Sequence, residues 1–113
     1  MSKMKFVPKT YAQAVEALAG RASVKLGNNT WLENFPDGIK AVRLHDTYIV
    51  QFWPDGRVTL YSGGYRTVTT KDRMNQFISG HVSQKNCKWF YTSRLLGEDY
   101  ETVPFVEGMD VLQ

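Results

Sequence analysis

Phe35-Pro36-Asp37-Gly38 and, eighteen residues further on, Trp53-Pro54-Asp55-Gly56 repeat one pattern, an aromatic residue followed by Pro-Asp-Gly. Proline presets φ for the first corner of a type I turn, and glycine accepts the left-handed position that closes a bulged hairpin. Around these turns, residues 39–44, 47–53 and 57–62 alternate in character and are rich in β-branched and aromatic side chains, as strands require. Upstream, residues 23–26 and 30–35 read as two further strands, joined by Gly27-Asn28-Asn29, a string that tolerates the positive φ of a tight turn. The pattern predicts an antiparallel meander of about five strands.

Helical signals flank the meander. Thr10-Tyr11-Ala12-Gln13 has the form of a capping box, in which Thr caps the third amide and Gln reaches back. Val15, Leu18 and Ala19 follow at helical spacing, and Gly20 suits the left-handed position after the last turn. Beyond the meander, Ser62-Gly63-Gly64-Tyr65-Arg66 interrupts the strand pattern, and a second helix is expected from Thr69 or Thr70, with Asp72 as the capping-box partner of Thr69. Met74, Phe77 and Ile78 form its apolar stripe and Gly80 its stop. A late hairpin pairs residues 81–84 with 88–92. The fold class is α+β.

Within residues 47–53, Tyr48, Val50 and Phe52 share one face, and Thr47, Ile49, Gln51 and Trp53 the other. Both faces are partly apolar, which predicts cover on both sides and a homo-oligomer, most simply a two-fold dimer.

Composition sets the frame. The 113 residues are 42% hydrophobic, 13% aromatic and 22% charged, values of a globular chain of single-domain size. No run approaches the ~18 apolar residues of a membrane-spanning helix, and residues 1–9 lack the apolar core of a secretory signal. The single cysteine, Cys87, excludes an intramolecular disulfide and fits a reducing compartment. All 14 Lys and Arg fall in residues 1–94, against six acids, whereas residues 95–113 carry five acids (Glu98, Asp99, Glu101, Glu107, Asp110) and no base. The chain therefore divides into a single α+β domain over 1–94 and an acidic C-terminal tail over 95–113. The tail's Pro104 and Gly108 allow a strand, an arm or disorder. A basic body points to an anionic partner.

The segment following the meander is the candidate site. Gly63 and Gly64 let the backbone approach a ligand, and the helix behind them offers free amides and the positive end of its dipole. Arg66, Lys71 and Arg73 bring charge, and Thr67, Thr69 and Thr70 bring hydroxyls. Ser62 and Tyr65 complete the candidate ligand-binding set. It is not a P-loop, whose spacing is absent. The plainer reading makes Gly63-Gly64 a sharp connection and Thr69-Thr70 a helix cap.

The sequence leans away from catalysis. Two histidines are too few for a conventional metal centre, so neither metal nor cofactor is expected. His45 as general base with His81 as acid would be the catalytic alternative. Single-stranded nucleic acid is the other anionic partner, and Tyr48, Trp53, Tyr61, Tyr65, Trp89, Phe90 and Tyr91 are the rings on which bases would stack.

Lys25-Leu26-Gly27-Asn28-Asn29-Thr30, Ala41-Val42-Arg43-Leu44-His45, Pro54-Asp55-Gly56-Arg57-Val58-Thr59-Leu60 and the long string Ser62-Gly63-Gly64-Tyr65-Arg66-Thr67-Val68-Thr69-Thr70-Lys71-Asp72-Arg73-Met74-Asn75 together resemble a family of small proteins encoded widely by bacteriophages and mobile elements. The resemblance runs from about Lys25 to Tyr91. It implies a phage origin and the cytoplasm of an infected bacterial host, and it brings no catalytic residues. The expectation is a phage accessory binding protein that captures a phosphate-bearing ligand, in its sharpest form a nucleotide signal of bacterial antiviral defence. The competing expectations are a single-stranded nucleic-acid-binding protein and a protein-directed inhibitor of a host defence nuclease.

Overall fold

Both Pro-Asp-Gly segments close on themselves in the same way. In the first, Phe35 N–H donates to Ile39 O (2.9 Å) and Gly38 N–H to Phe35 O (3.1 Å); in the second, Trp53 N–H donates to Arg57 O (2.9 Å) and Gly56 N–H to Trp53 O (3.0 Å). The Asp37 and Asp55 carboxylates each accept the amide two residues on. Gly38 and Gly56 sit at φ 95° and 93°, where a side chain would be strained.

The computed structural model describes residues 7–93 and 101–111. Helix α1 (Tyr11–Leu18) precedes the meander β1 (Ser23–Gly27), β2 (Thr30–Asn34), β3 (Lys40–Leu44), β4 (Thr47–Phe52) and β5 (Val58–Leu60). Helix α2 (Val68–Asn75), the hairpin β6 (His81–Lys85) and β7 (Lys88–Thr92), and the short strands β8 (Thr102–Pro104) and β9 (Met109–Val111) follow. The α+β class and the expected order of helices, meander and hairpin are as the sequence indicates. Every ladder is antiparallel, in two sheets ordered β1-β2-β3-β4-β5-β9 and β6-β7-β8.

Local chemistry explains the helix ends. Thr10 caps α1 by accepting from Gln13 N–H, while Gln13 Oε1 accepts from Lys9 N–H, one residue earlier than a capping box places it. For α2 the cap is Thr67, not Thr69 or Thr70. Thr67 is extended (φ −100°, ψ 164°) and its hydroxyl accepts from Thr70 N–H at 3.2 Å. Capping two residues early turns Thr70, Arg73 and Met74 inward, with Phe77 and Ile78 just beyond the helix. Asp72 has no part in the cap. Asn75 then ties α2 to the second sheet, donating to Val82 O and accepting from Val82 N–H.

The core lies between the six-stranded sheet and the layer of helices and second sheet, around Leu32, Val42, Val50, Phe52, Met74, Phe77 and Trp89. Each fully buried large side chain contributes about 1.5–3 kcal/mol. The faces of β4 differ from simple alternation. The ladder pairs Val42 with Val50 but Arg43 with Tyr48, so Ile49 is an extra, bulged residue. A bulge re-aims the residues after it. Ile49, Val50 and Phe52 are all fully buried, whereas Tyr48 bonds to Glu33 at 2.7 Å on the opposite face. Ile49, Val50 and Phe52 thus turn to the core, and the other face of the strand carries Tyr48, which meets the Phe35 ring edge-on at 5.0 Å.

The acidic segment is woven into both sheets where it is described: β8 pairs with β7, and β9 pairs with β5. Asp110 accepts from the Thr59 hydroxyl (2.6 Å) and lies 3.7 Å from Arg57. Two acids of the tail, Asp110 and Glu107, meet two arginines of the body, Arg57 and Arg66. Glu98 and Asp99 lie outside the described residues.

Candidate functional site

Residues 62–70 run from the end of β5 to the first turn of α2, and they build two adjoining features. The first is a cradle of donors. Ser62 is fully buried, and the next two glycines are left-handed at φ 65° and 84°. That path points successive amides one way, as in an anion-binding nest. The anion is Glu107. Its carboxylate accepts from Ser62 N–H (2.7 Å), Gly63 N–H (3.1 Å) and Arg66 Nη2 (3.3 Å), and from the Ser62 hydroxyl. Burial alone would raise the Glu107 carboxyl, but the bonds from Ser62, Gly63 and Arg66 outweigh it and hold the pKa below the ordinary 4.5. Gly64 N–H donates to Ser62 Oγ, closing the loop. Arg66 is also 5.2 Å from the Phe105 ring centroid.

The second feature is a cavity of about 430 Å³ between the β3–β4 turn and the amino end of α2. One wall is Leu44, His45, Asp46, Thr47 and Ile49; the other is Tyr65, Thr67, Thr69 and Thr70. His45 reaches this rim because it takes the left-handed turn position (φ 54°), its N–H bound to Asn29 O. Thr67 satisfies the amides of Thr70 and Lys71, which leaves those of Val68 and Thr69 as the open donors of the helix start. Tyr65 is 65% exposed at the mouth. Cradle and cavity share a wall, because a Cβ at Gly63 would lie 2.7 Å from Thr47 Cγ2.

The expected site residues therefore divide. Ser62, Gly63, Gly64 and Arg66 form the cradle; Tyr65, Thr67, Thr69 and Thr70 line the cavity. Lys71 and Arg73 join neither. Arg73 is 4% exposed on the inner side of α2, and its Nε and Nη1 have no hydrogen-bond partner among the described residues. The three cations Arg66, Lys71 and Arg73 do not converge: Arg66 precedes α2 and is bound to Glu107, while Lys71 and Arg73, two positions apart on the helix, take different faces. Sequence reasoning missed Glu107 and the β3–β4 turn as parts of the site. The available signal was an acid next to Gly108 in a charge-segregated tail.

The remaining candidates are dispersed. His45 lines this cavity, whereas His81 lines another of about 340 Å³ beside Lys9, Ser79 and Gly80, so the two do not form one acid–base pair. Trp89 and Tyr91 are buried, and the Arg57 guanidinium lies 4.0 Å over the Trp53 ring. Among the described residues no group of three or more His, Cys, Asp or Glu is placed to hold a metal ion, and no helix is long and apolar enough to cross a membrane.

No curated protein and no solved structure matches the chain. The family model described as Kyanoviridae Gp96 protein matches residues 7–112, nearly the whole of the fold just described. The chain belongs to this family of phage proteins.

Proposed function

We propose that the protein is a phage accessory binding protein that captures a small phosphate-bearing ligand in the cavity at the amino end of α2. The observation that carries this reading is that a 430 Å³ space opens on the first turn of α2, where Thr69, with an open amide and a hydroxyl, lines one wall beside Tyr65, Thr67 and Thr70. Helix amino ends attract anions through unpaired N–H groups and the helix dipole. Tyr65 offers a ring for a nucleobase, and Asp46 on the facing wall suits a sugar hydroxyl. A nucleotide fits this set, and in a phage protein its sequestration would blunt a nucleotide signal of host defence. Basic side chains are a lesser part of the site than the sequence indicates, so the attraction is chiefly from oriented dipoles.

Calorimetric titration with a nucleotide panel and an oligonucleotide at two salt concentrations tests the reading. A pocket ligand should lose affinity gently with salt, because only one or two phosphates are contacted and these are partly screened. Thr69→Glu, which sets a carboxylate over the open amides, should weaken it by about 1.5–3 kcal/mol. An oligonucleotide that binds with a logarithmic salt slope of about −0.7 per phosphate would favour an open groove instead. No heat from any ligand, with the fold intact by circular dichroism, would discard capture and leave docking on a host protein.

A further inference from the structure

Glu107 occupies the cradle as a ligand's acid group would. Four donors from two residues and a guanidinium converge on one carboxylate: Ser62 N–H and hydroxyl, Gly63 N–H and Arg66 Nη2. Buried or fixed backbone donors joined by an arginine make a receptor for oxyanions in general, since phosphate and carboxylate oxygens accept alike. This occupant is reachable from solvent and lies at the margin of the sheet. The ion pair is open to water, with the Arg66 and Glu107 side chains 41% and 38% exposed. Glu107 also sits just before β9, a three-residue strand at the edge of the sheet that, among the described residues, pairs with β5 alone. The cradle borders the cavity through Gly63 and Thr47, and the chain passes directly from Arg66 to Thr67, from one feature to the other.

We propose that residues 62–66 are a second oxyanion site, closed by the protein's own Glu107, and that an acidic group of a ligand seated in the cavity opens it by replacing Glu107 and releasing β9 from β5. The receptor stands on its own geometry; only its coupling to the cavity rests on the proposed capture of a phosphate-bearing ligand. An intramolecular carboxylate competes at an effective concentration on the order of millimolar or higher. A lone phosphate ion is therefore excluded from the wild-type cradle, and a ligand already anchored next door is not. Opening follows from differential affinity alone, because the ligand binds the open form and Glu107 the closed one.

Amide NMR titration of Glu107→Ala with inorganic phosphate, against chloride at equal ionic strength, tests the receptor. The Ser62 and Gly63 amides should shift saturably, with affinity at least about tenfold above wild type, and Glu107→Ala combined with Arg66→Ala should lose the response. Amides unmoved by phosphate, or moved equally in wild type, would overturn the receptor. If the alanine variant does not fold, the same criterion applies to Glu107→Gln, which keeps the side chain's size and removes its charge. The coupling is read in the wild-type protein by hydrogen exchange. A nucleotide that gives heat should accelerate exchange at Gly108, whose N–H is bound to Leu60 O, and unchanged exchange at saturation would overturn the coupling while leaving capture intact. Phosphate binding by Glu107→Ala with no nucleotide binding by wild type would instead reject capture and keep the receptor.

Discussion

The two Pro-Asp-Gly turns and the Gly63-Gly64 loop all depend on left-handed glycines, yet they are stabilised in opposite ways. Each Pro-Asp-Gly turn satisfies itself within five residues, by two backbone bonds and an aspartate that folds back on its own chain. The glycine loop closes itself only in part, through Gly64 N–H to Ser62 Oγ and Tyr65 N–H to Ser62 O. The Gly63 amide points outward, and its acceptor arrives from Glu107, 44 residues further along the chain. A self-closed turn tolerates local change, whereas a loop closed by a distant partner couples its own geometry to the C-terminal strand. Donors left pointing outward are also what makes this loop able to hold an anion.

Substitutions sharpen the contrast. Gly63→Ala should be the most damaging, at about 2–5 kcal/mol. It adds left-handed strain to a Cβ that lies 2.7 Å from a stiff, β-branched Thr47. Glu107→Ala should destabilise by about 1–3 kcal/mol, because the buried Ser62 N–H loses its acceptor. Gly56→Ala, at φ 93° against 65° for Gly63 but with nothing among the described residues within 4 Å of the new Cβ, should register only the backbone strain of about 1–2 kcal/mol. Thr67→Ala removes the cap bond from Thr70 N–H and the hydroxyl bond to Thr70 Oγ1, for about 1 kcal/mol. Urea unfolding midpoints at constant m-value rank the four. A Gly56→Ala effect as large as that of Gly63→Ala would break the comparison.

Acid should act on the same loop. A carboxyl whose folded pKa is depressed adds stability that is complete above its unfolded pKa and drains away as pH falls through the folded value. The advantage of wild type over Glu107→Gln should therefore be full at about pH 7 and fade below about pH 4.5. Glu33 drains in the same window. Burial would raise its carboxyl, but hydrogen bonds from Arg43 and Tyr48 outweigh this and lower it.

What the sequence discloses follows the same divide. The hairpin turns, the Thr10 cap and the apolar stripe of Met74, Phe77 and Ile78 are set by neighbours within a few residues, so spacing reveals them. The bulge at Ile49 is not local. Nothing in residues 47–53 marks it, because it is fixed by the register between β3 and β4. Three threonines compete for the α2 cap, and the choice of Thr67 depends on which helix face meets the core. In the site, the anion-seeking character of residues 62–66 is legible from two glycines and an arginine. The identity of the anion is not, because Glu107 joins them through a sheet pairing between distant segments.

The most direct measurement is a carbon-13 NMR titration of the Glu107 side-chain carboxyl. A carboxylate held by Ser62, Gly63 and Arg66 should titrate below 4.5, and Arg66→Ala should move the midpoint back towards that value, since one charged donor is gone. A midpoint at or above 4.5 in the wild-type protein would mean that the loop does not hold an anion, and would contradict the account.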